Sequence, residues 1–208
     1  NLNRLYCSSA QNNNILPISK NIKSILVAGE HGHDLGYQCG GWSISWQGGS
    51  GNTTIGTTIL DGIRDNIGNQ SSVSFSKNGD EPNDHDIIIA VVGETPYAEM
   101  KGDSESLELS NKDKLLLERL IKTGKPIVLI LISGRPMIIT PYLEHVDAVL
   151  AAWLPGTEGS GVADLLFGDV SPTAKLSFSW PRDMSQIPIN YGDKTYDPLF
   201  PLGYGLTY

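Results

Sequence analysis

The stretch Gly93-Glu94-Thr95-Pro96-Tyr97-Ala98-Glu99-Met100-Lys101-Gly102-Asp103 crowds the carboxylates of Glu94, Glu99 and Asp103 into one short segment. An earlier stretch, Cys39-Gly40-Gly41-Trp42-Ser43-Ile44-Ser45-Trp46-Gln47-Gly48, sets two tryptophans four positions apart between glycines. Together these residue types suit one chemistry. A carboxyl group of raised pKa can protonate a glycosidic oxygen, and an indole face stacks on the apolar face of a sugar ring. Each also has a plainer role. A loop acid is ordinarily solvated, and Trp42 and Trp46 would fill a core equally well on spacing alone. Residue type and spacing reach a carbohydrate site and leave both alternatives standing.

Other chemistries fit less well. Gly29 is followed by Glu30, His31, Gly32, His33 and Asp34, not by the G-x-G-x-x-G of a dinucleotide site. Gly124-Lys125 is followed by Pro126, which breaks the phosphate-loop pattern, and no G-x-S-x-G elbow is present. Glu30, His31, His33 and Asp34 invite a metal reading. On a loop their spacing is not diagnostic, so hydrogen-bonded structural roles are expected, with no metal and no cofactor. The formal net charge is −8 with Lys and Arg scattered singly, which repels a phosphate-rich partner and argues against nucleic acid. The longest apolar runs, Ile87 to Val92 and Ile127 to Ile132, are too short to cross a bilayer, so no membrane partner is expected. Cys7 and Cys39 can pair or stay free; their separation decides nothing. Asn52-Thr53-Thr54 and Asn69-Gln70-Ser71 fit a glycosylation triplet that often arises by chance. The polar opening, Asn1 to Arg4, carries no secretory pattern and reads as the middle of a longer polypeptide, which leaves the compartment open.

Holding such loops in place takes a scaffold. At 208 residues the chain is long enough for one substantial core. Residues 1–23 are polar and Asn-rich up to Leu16-Pro17-Ile18 and read as a linker or boundary segment, with one domain over 24–208. Strands are expected at Ile25 to Gly29, around Val73 and Phe75, at Asp86 to Gly93, Pro126 to Ser133, Ala148 to Trp153 and finally Lys175 to Trp180. Between them, Ile59, Leu60, Ile63 and Ile67 recur at helical spacing, as do Leu116, Leu117, Leu120 and Ile121 behind a Ser110/Asp113 cap. Glu158 to Phe167 reads as a helix closed by Gly168. The expected fold is α/β, an open, mainly parallel sheet of about five or six strands with helices on both faces. The tail from Pro181 lacks periodicity and is expected to pack over the surface or reach toward a neighbouring domain. In such a sheet ligands bind outside the carboxyl ends of the strands, where the Trp and Glu segments fall.

A family likeness runs through the same residues. Asp34-Leu35-Gly36, Cys39-Gly40-Gly41-Trp42-Ser43-Ile44-Ser45-Trp46-Gln47-Gly48, Val92-Gly93-Glu94-Thr95-Pro96-Tyr97-Ala98-Glu99 and Ser133-Gly134-Arg135-Pro136 resemble the second domain of β-glucan exohydrolases in glycoside hydrolase family 3. The likeness continues through Ala151-Ala152-Trp153-Leu154-Pro155-Gly156-Thr157-Glu158-Gly159 and Tyr196-Asp197-Pro198-Leu199-Phe200-Pro201-Leu202-Gly203-Tyr204-Gly205-Leu206. It implies a retaining, exo-acting β-glucosidase that cleaves β-glucosides or β-glucan oligosaccharides in a pocket between a (β/α)8 barrel and an α/β sandwich. The barrel would supply the nucleophile and the sandwich the acid/base. Carried over by position, the acid/base is Glu99, Trp46 walls the adjoining subsite and Trp42 stands beside it. Glu94 would take a support role, bonding loop amides or Arg135. A barrel needs about 250 residues, and the sandwich already uses these 208. The expected partner is therefore a barrel domain carrying the nucleophile, without which the chain is expected to be inactive. The acidic stretch Glu105-Ser106-Leu107-Glu108-Leu109 lacks the Pro-rich continuation of plant members, and the residues before Leu16 match poorly. The alternative from another class is a non-catalytic carbohydrate-binding or scaffold module.

Overall fold

The computed structural model describes residues 8–208. Its strands are β1 (Ser8–Asn12), β2 (Ser24–Ala28), β3 (Ser72–Ser76), β4 (Ile87–Gly93), β5 (Ile127–Ile132) and β6 (Ala148–Trp153). Its α-helices are α1 (Leu35–Cys39), α2 (Ile59–Asn66), α3 (Asn111–Ile121) and α4 (Gly159–Phe167). The strands form one sheet in the order β1-β6-β5-β4-β2-β3. Every pairing is parallel except β1 with β6, which is antiparallel.

β4 and β5 are buried along their whole length, as continuous Ile/Val/Leu runs must be when both faces of a parallel sheet are covered. Alternation along each strand sorts the core into two layers. Ile25, Val27, Ile89, Val91, Val128 and Ile130 face α2 and α4, joining Ile59, Leu60, Ile63, Val162 and Leu166. Leu26, Ile88, Ala90, Val92, Leu129 and Leu131 face α3 through Leu116, Leu117 and Leu120. Each such Val, Leu or Ile side chain contributes about 1.5–3 kcal/mol by leaving water.

The helices begin where the sequence marks them. The Thr58 hydroxyl accepts from the Asp61 amide, and the Ser110 hydroxyl accepts from the Asp113 amide while donating to the Asp113 carboxylate. α4 closes on Gly168 at φ 78°, a left-handed position that favours glycine.

Two expectations need correcting. Lys175 to Trp180 forms no strand, only an isolated bridge between Trp180 and Phe200. Strict alternation would bury Phe178 with Leu176 and Trp180, yet Phe178 is 53% exposed. The segment is anchored instead by Leu176 bonding Tyr204 and by the Trp180 indole donating to the Met137 carbonyl, over the α3 face. The edge of β6 is occupied by β1, which lies inside the stretch expected to be a linker. That strand, Ser-Ser-Ala-Gln-Asn, joins through backbone ladder bonds, with Ser8 opposite Ala151 and Asn12 opposite Ala148. Leu16 and Ile18, just beyond it, lie in the core. Cys7 lies outside the described residues, and Cys39 has no disulfide among those described.

Candidate active site

The site is built from two loops at the carboxyl ends of β2 and β4. After β2 the chain passes Gly29, a 3-10 turn over Glu30–His33 and then α1. Asp34 caps α1 by accepting from the Tyr37 amide at 2.9 Å, and its second oxygen accepts from the Gly51 amide at 2.8 Å. His31 is buried with Nε2 3.1 Å from the Glu94 carbonyl, and its ring packs on Tyr37. His33 Nδ1 lies 2.9 Å from the Thr58 hydroxyl. His31 and His33 thus tie the turn after β2 to the end of β4 and to the cap of α2, while Asp34 caps α1 and Glu30 pairs with Lys112 of α3.

The first loop, 40–48, is pinched at its neck by the Trp42 amide donating to the Trp46 carbonyl at 2.9 Å. Trp42 (φ 60°) and Ile44 (φ 65°) both adopt left-handed backbone, which for a β-branched residue stores strain. The loop thrusts its aromatic residues outward. Trp42 is 70% exposed and Trp46 43%, with ring centroids 6.3 Å apart and planes inclined at 53°. They do not fill a core.

The second loop leaves β4 at Gly93, where a Cβ would sit 1.8 Å from the Ile132 carbonyl oxygen. Glu94 follows and turns inward. Its Oε1 accepts from Arg135 Nε at 2.9 Å and lies 2.8 Å from Nη2, an ion pair closed on one carboxylate oxygen. Its Oε2 accepts from the Tyr97 hydroxyl at 3.0 Å and the Gly134 amide at 3.3 Å. Arg135 also donates to the Gly102 carbonyl at 2.7 Å and lies 4.7 Å from the Tyr97 ring centroid. Burial, with the negative charge of Glu94 beside it, pushes the Tyr97 phenol up to about 12. The expected contact between Glu94 and Arg135 is present, with Glu94 serving to tie strand ends together.

Glu99 turns outward and is exposed. Its Oε2 accepts from the Trp46 indole N–H at 2.6 Å. That bond, aided by a backbone bond within Glu99 and a smaller pull from Trp42, holds its carboxyl below the ordinary glutamate value, because a donor favours the charged form. The two loops touch down to their backbones. A Cβ on Gly41 would lie 2.0 Å from the Tyr97 carbonyl oxygen, and one on Gly48 would lie 2.6 Å from Pro96 Cβ. Asp103 is exposed, and only its amide bonds back, to Met100. A cavity of about 150 Å³ opens beside the Trp loop, lined by Tyr37, Gly41, Glu94, Tyr97, Gly134 and Leu154.

Sequence reasoning passed over two amides. Gln38, fully buried, donates to the Thr57 and Gly156 carbonyls and accepts from the Ile59 amide, tying α1 to α2 and to the turn after β6. Gln47 accepts from the Ala98 amide and donates to the Glu99 carbonyl, joining the two loops. Neither glutamine carried a spacing signal.

The chain as a whole has counterparts among known proteins. Residues 11–208 match the glycosyl hydrolase family 3 C-terminal domain. The chain belongs to that family. A lysosomal beta glucosidase from Dictyostelium discoideum is 36% identical over 94% of this chain and 27% of its own length. A beta-xylosidase from Formosa agariphila is 34% identical over 94% of this chain and 31% of its own. Among solved structures, the exo-1,3/1,4-beta-glucanase of a Pseudoalteromonas species aligns with a TM-score of 0.90 and 40% identity, covering 97% of this chain and 27% of that one. A beta-glucosidase from Listeria innocua, solved in complex with glucose, aligns with a TM-score of 0.81 and 26% identity, over 97% of this chain and 32% of that one. This family 3 domain therefore spans roughly three-tenths of the length of these relatives. The α/β fold and the family expected from the sequence are both met.

Proposed function

We propose that the chain serves as the C-terminal domain of a retaining, exo-acting β-glucosidase, with Glu99 as the acid/base and Trp46, flanked by Trp42, as a wall of the sugar cleft. The observation that carries this reading is the 2.6 Å bond from the Trp46 indole to the outward Glu99 carboxylate, at the carboxyl end of the parallel sheet. A catalytic carboxylate and a sugar-stacking surface then occupy one spot, and both face away from the core. Glu94 is unsuited to the chemistry, since both its oxygens are consumed by Arg135, Tyr97 and Gly134.

The mechanism divides between two domains. A retaining glycosidase needs two carboxyl groups about 5–5.5 Å apart across the scissile bond. Glu99 would protonate the departing oxygen and then deprotonate the water that releases the sugar. The second carboxylate, the nucleophile, is expected from a (β/α)8 barrel domain. Uncovered, Glu99 is exposed and favours the ionised form, as a base must but an acid must not. Closure by a barrel would remove water and raise its pKa, supplying the protonated form for the first step.

The test uses the full-length protein that carries this domain. Glu99→Ala should lose activity on β-glucosides with poor leaving groups, keep more on activated aryl β-glucosides, and recover with azide. The 208-residue chain alone should hydrolyse aryl β-glucosides at no more than background rate. Turnover by the isolated chain that Glu99→Gln abolishes would sink the two-domain division. A leaving-group signature in Glu94→Ala and not in Glu99→Ala would exchange the two roles.

A further inference from the structure

Glu99 sits far out on a loop with little beneath it. Its neighbours Met100 and Lys101 are exposed, and Met100 adopts left-handed backbone at φ 71°. A general acid held this way needs something to fix its backbone as well as its carboxylate.

The Trp loop supplies both. Trp46 grips the carboxylate, and the next residue, Gln47, grips the main chain that bears it. Gln47 Oε1 accepts from the Ala98 amide at 2.9 Å, and its Nε2 donates to the Glu99 carbonyl at 3.3 Å. A backbone N–H can only donate and a backbone carbonyl can only accept, so these partners fix which end of the side-chain amide is oxygen. The Glu99 carbonyl also accepts from the Lys101 amide at 2.9 Å, so both its lone pairs are engaged. Gln47 thus closes on the peptide groups before Ala98 and after Glu99, flanking that pair of residues, and reaches them from a loop whose Gly41 and Gly48 already abut Tyr97 and Pro96.

We infer that Gln47 is a positioning residue for the acid/base: it sets where the Glu99 carboxyl group stands relative to the glycosidic oxygen. This rests on the reading of Glu99 as the acid/base. Gln47 acts through the main chain of Ala98 and Glu99, and its contribution is geometric. A misplacement of about 1 Å costs on the order of 100-fold in a positioned reaction. General acid catalysis supplies roughly 10²–10⁴-fold in all, which caps what losing the tie can remove. The loss must also be selective. A leaving group that departs unaided does not need the proton, so only substrates with poor leaving groups should register the displacement.

The experiment is made in the full-length protein. Gln47→Met keeps the length of the side chain and loses both bonds. Gln47→Glu keeps an acceptor for the Ala98 amide and sets a carboxylate oxygen against the Glu99 carbonyl. kcat/KM is measured on an alkyl β-glucoside and on a dinitrophenyl β-glucoside, with Tm recorded for each variant and Glu99→Ala as the control. Gln47→Met should lose roughly 10- to 100-fold on the alkyl glucoside and less than about 3-fold on the dinitrophenyl glucoside, within the reach of lost positioning. Gln47→Glu should fall between wild type and Gln47→Met, with the same selectivity. If Gln47→Met does not fold, the substrate ratio of Gln47→Glu decides the matter. Equal loss on both substrates, or full activity on the alkyl glucoside, overturns the assignment of Gln47 while a selective Glu99→Ala leaves the role of Glu99 standing. A Glu99→Ala variant without leaving-group dependence removes the reading beneath it, and the assignment of Gln47 falls with it.

Discussion

Replacing Glu94 by alanine tests the division between a carboxylate that builds the site and one that works in it. The Glu94 side chain is 11% exposed and its ion-pair partner Arg135 is 27% exposed. Removing one member of a buried pair costs about 3–5 kcal/mol, because the charge left behind loses its partner without regaining water. Arg135 keeps partial access to solvent and its bond to the Gly102 carbonyl, which places the charge contribution near the low end, about 3 kcal/mol. The Tyr97 hydroxyl and Gly134 amide also lose their acceptor, adding up to about 1 kcal/mol. Glu94→Ala should therefore destabilise the chain by about 3–4 kcal/mol, or roughly 6–15 °C in Tm for a chain of this size. Urea unfolding followed by circular dichroism measures it. Glu99→Ala, at an exposed position, should leave the midpoint where it is. A Glu94→Ala variant within about 1 kcal/mol of wild type would refute the reasoning. So would a Glu99→Ala variant that unfolds as early as Glu94→Ala.

Trp46→Phe removes the indole donor that favours the charged form of Glu99, so the Glu99 pKa should climb back toward the ordinary glutamate value; carbon-detected NMR titration reads this, and an unchanged or lower pKa contradicts the bond. Gly41→Ala should push the Trp loop off the Tyr97 carbonyl and destabilise by about 1–3 kcal/mol, whereas a urea midpoint equal to wild type would mean that the loops can separate freely.

The elements legible in the sequence were those whose signal is local. The Ser110/Asp113 cap, the leucines of α3 and the unbroken apolar runs of β4 and β5 each encode their own structure within a few residues. β1 escaped because a polar edge strand is held by ladder bonds to β6, and backbone pairing leaves no trace in side-chain pattern. Lys175 to Trp180 misled because its apolar residues alternate although the chain there is held by the buried Trp180 rather than by strand neighbours. Within the site, Glu94 and Arg135 could be paired from their places at adjoining strand ends. Whether Trp42 and Trp46 were core or surface could not be read, since that depends on how two loops distant in sequence meet. Gln38 and Gln47 were invisible for the same reason: an amide's role is set by which peptide groups lie within its reach.

The contact between the loops also governs how such a site can diversify. Where Gly41 and Gly48 press on Tyr97 and Pro96, even a methyl group has no room, so those positions are closed to drift and to library design alike. Ile44 and Met100 stand in the opposite situation, mostly exposed. Changes there alter what the rim presents while leaving the frame that carries Glu99 untouched. Mutational tolerance in this domain should therefore divide sharply, with an inner ring that admits almost nothing and an outer ring free to be rewritten.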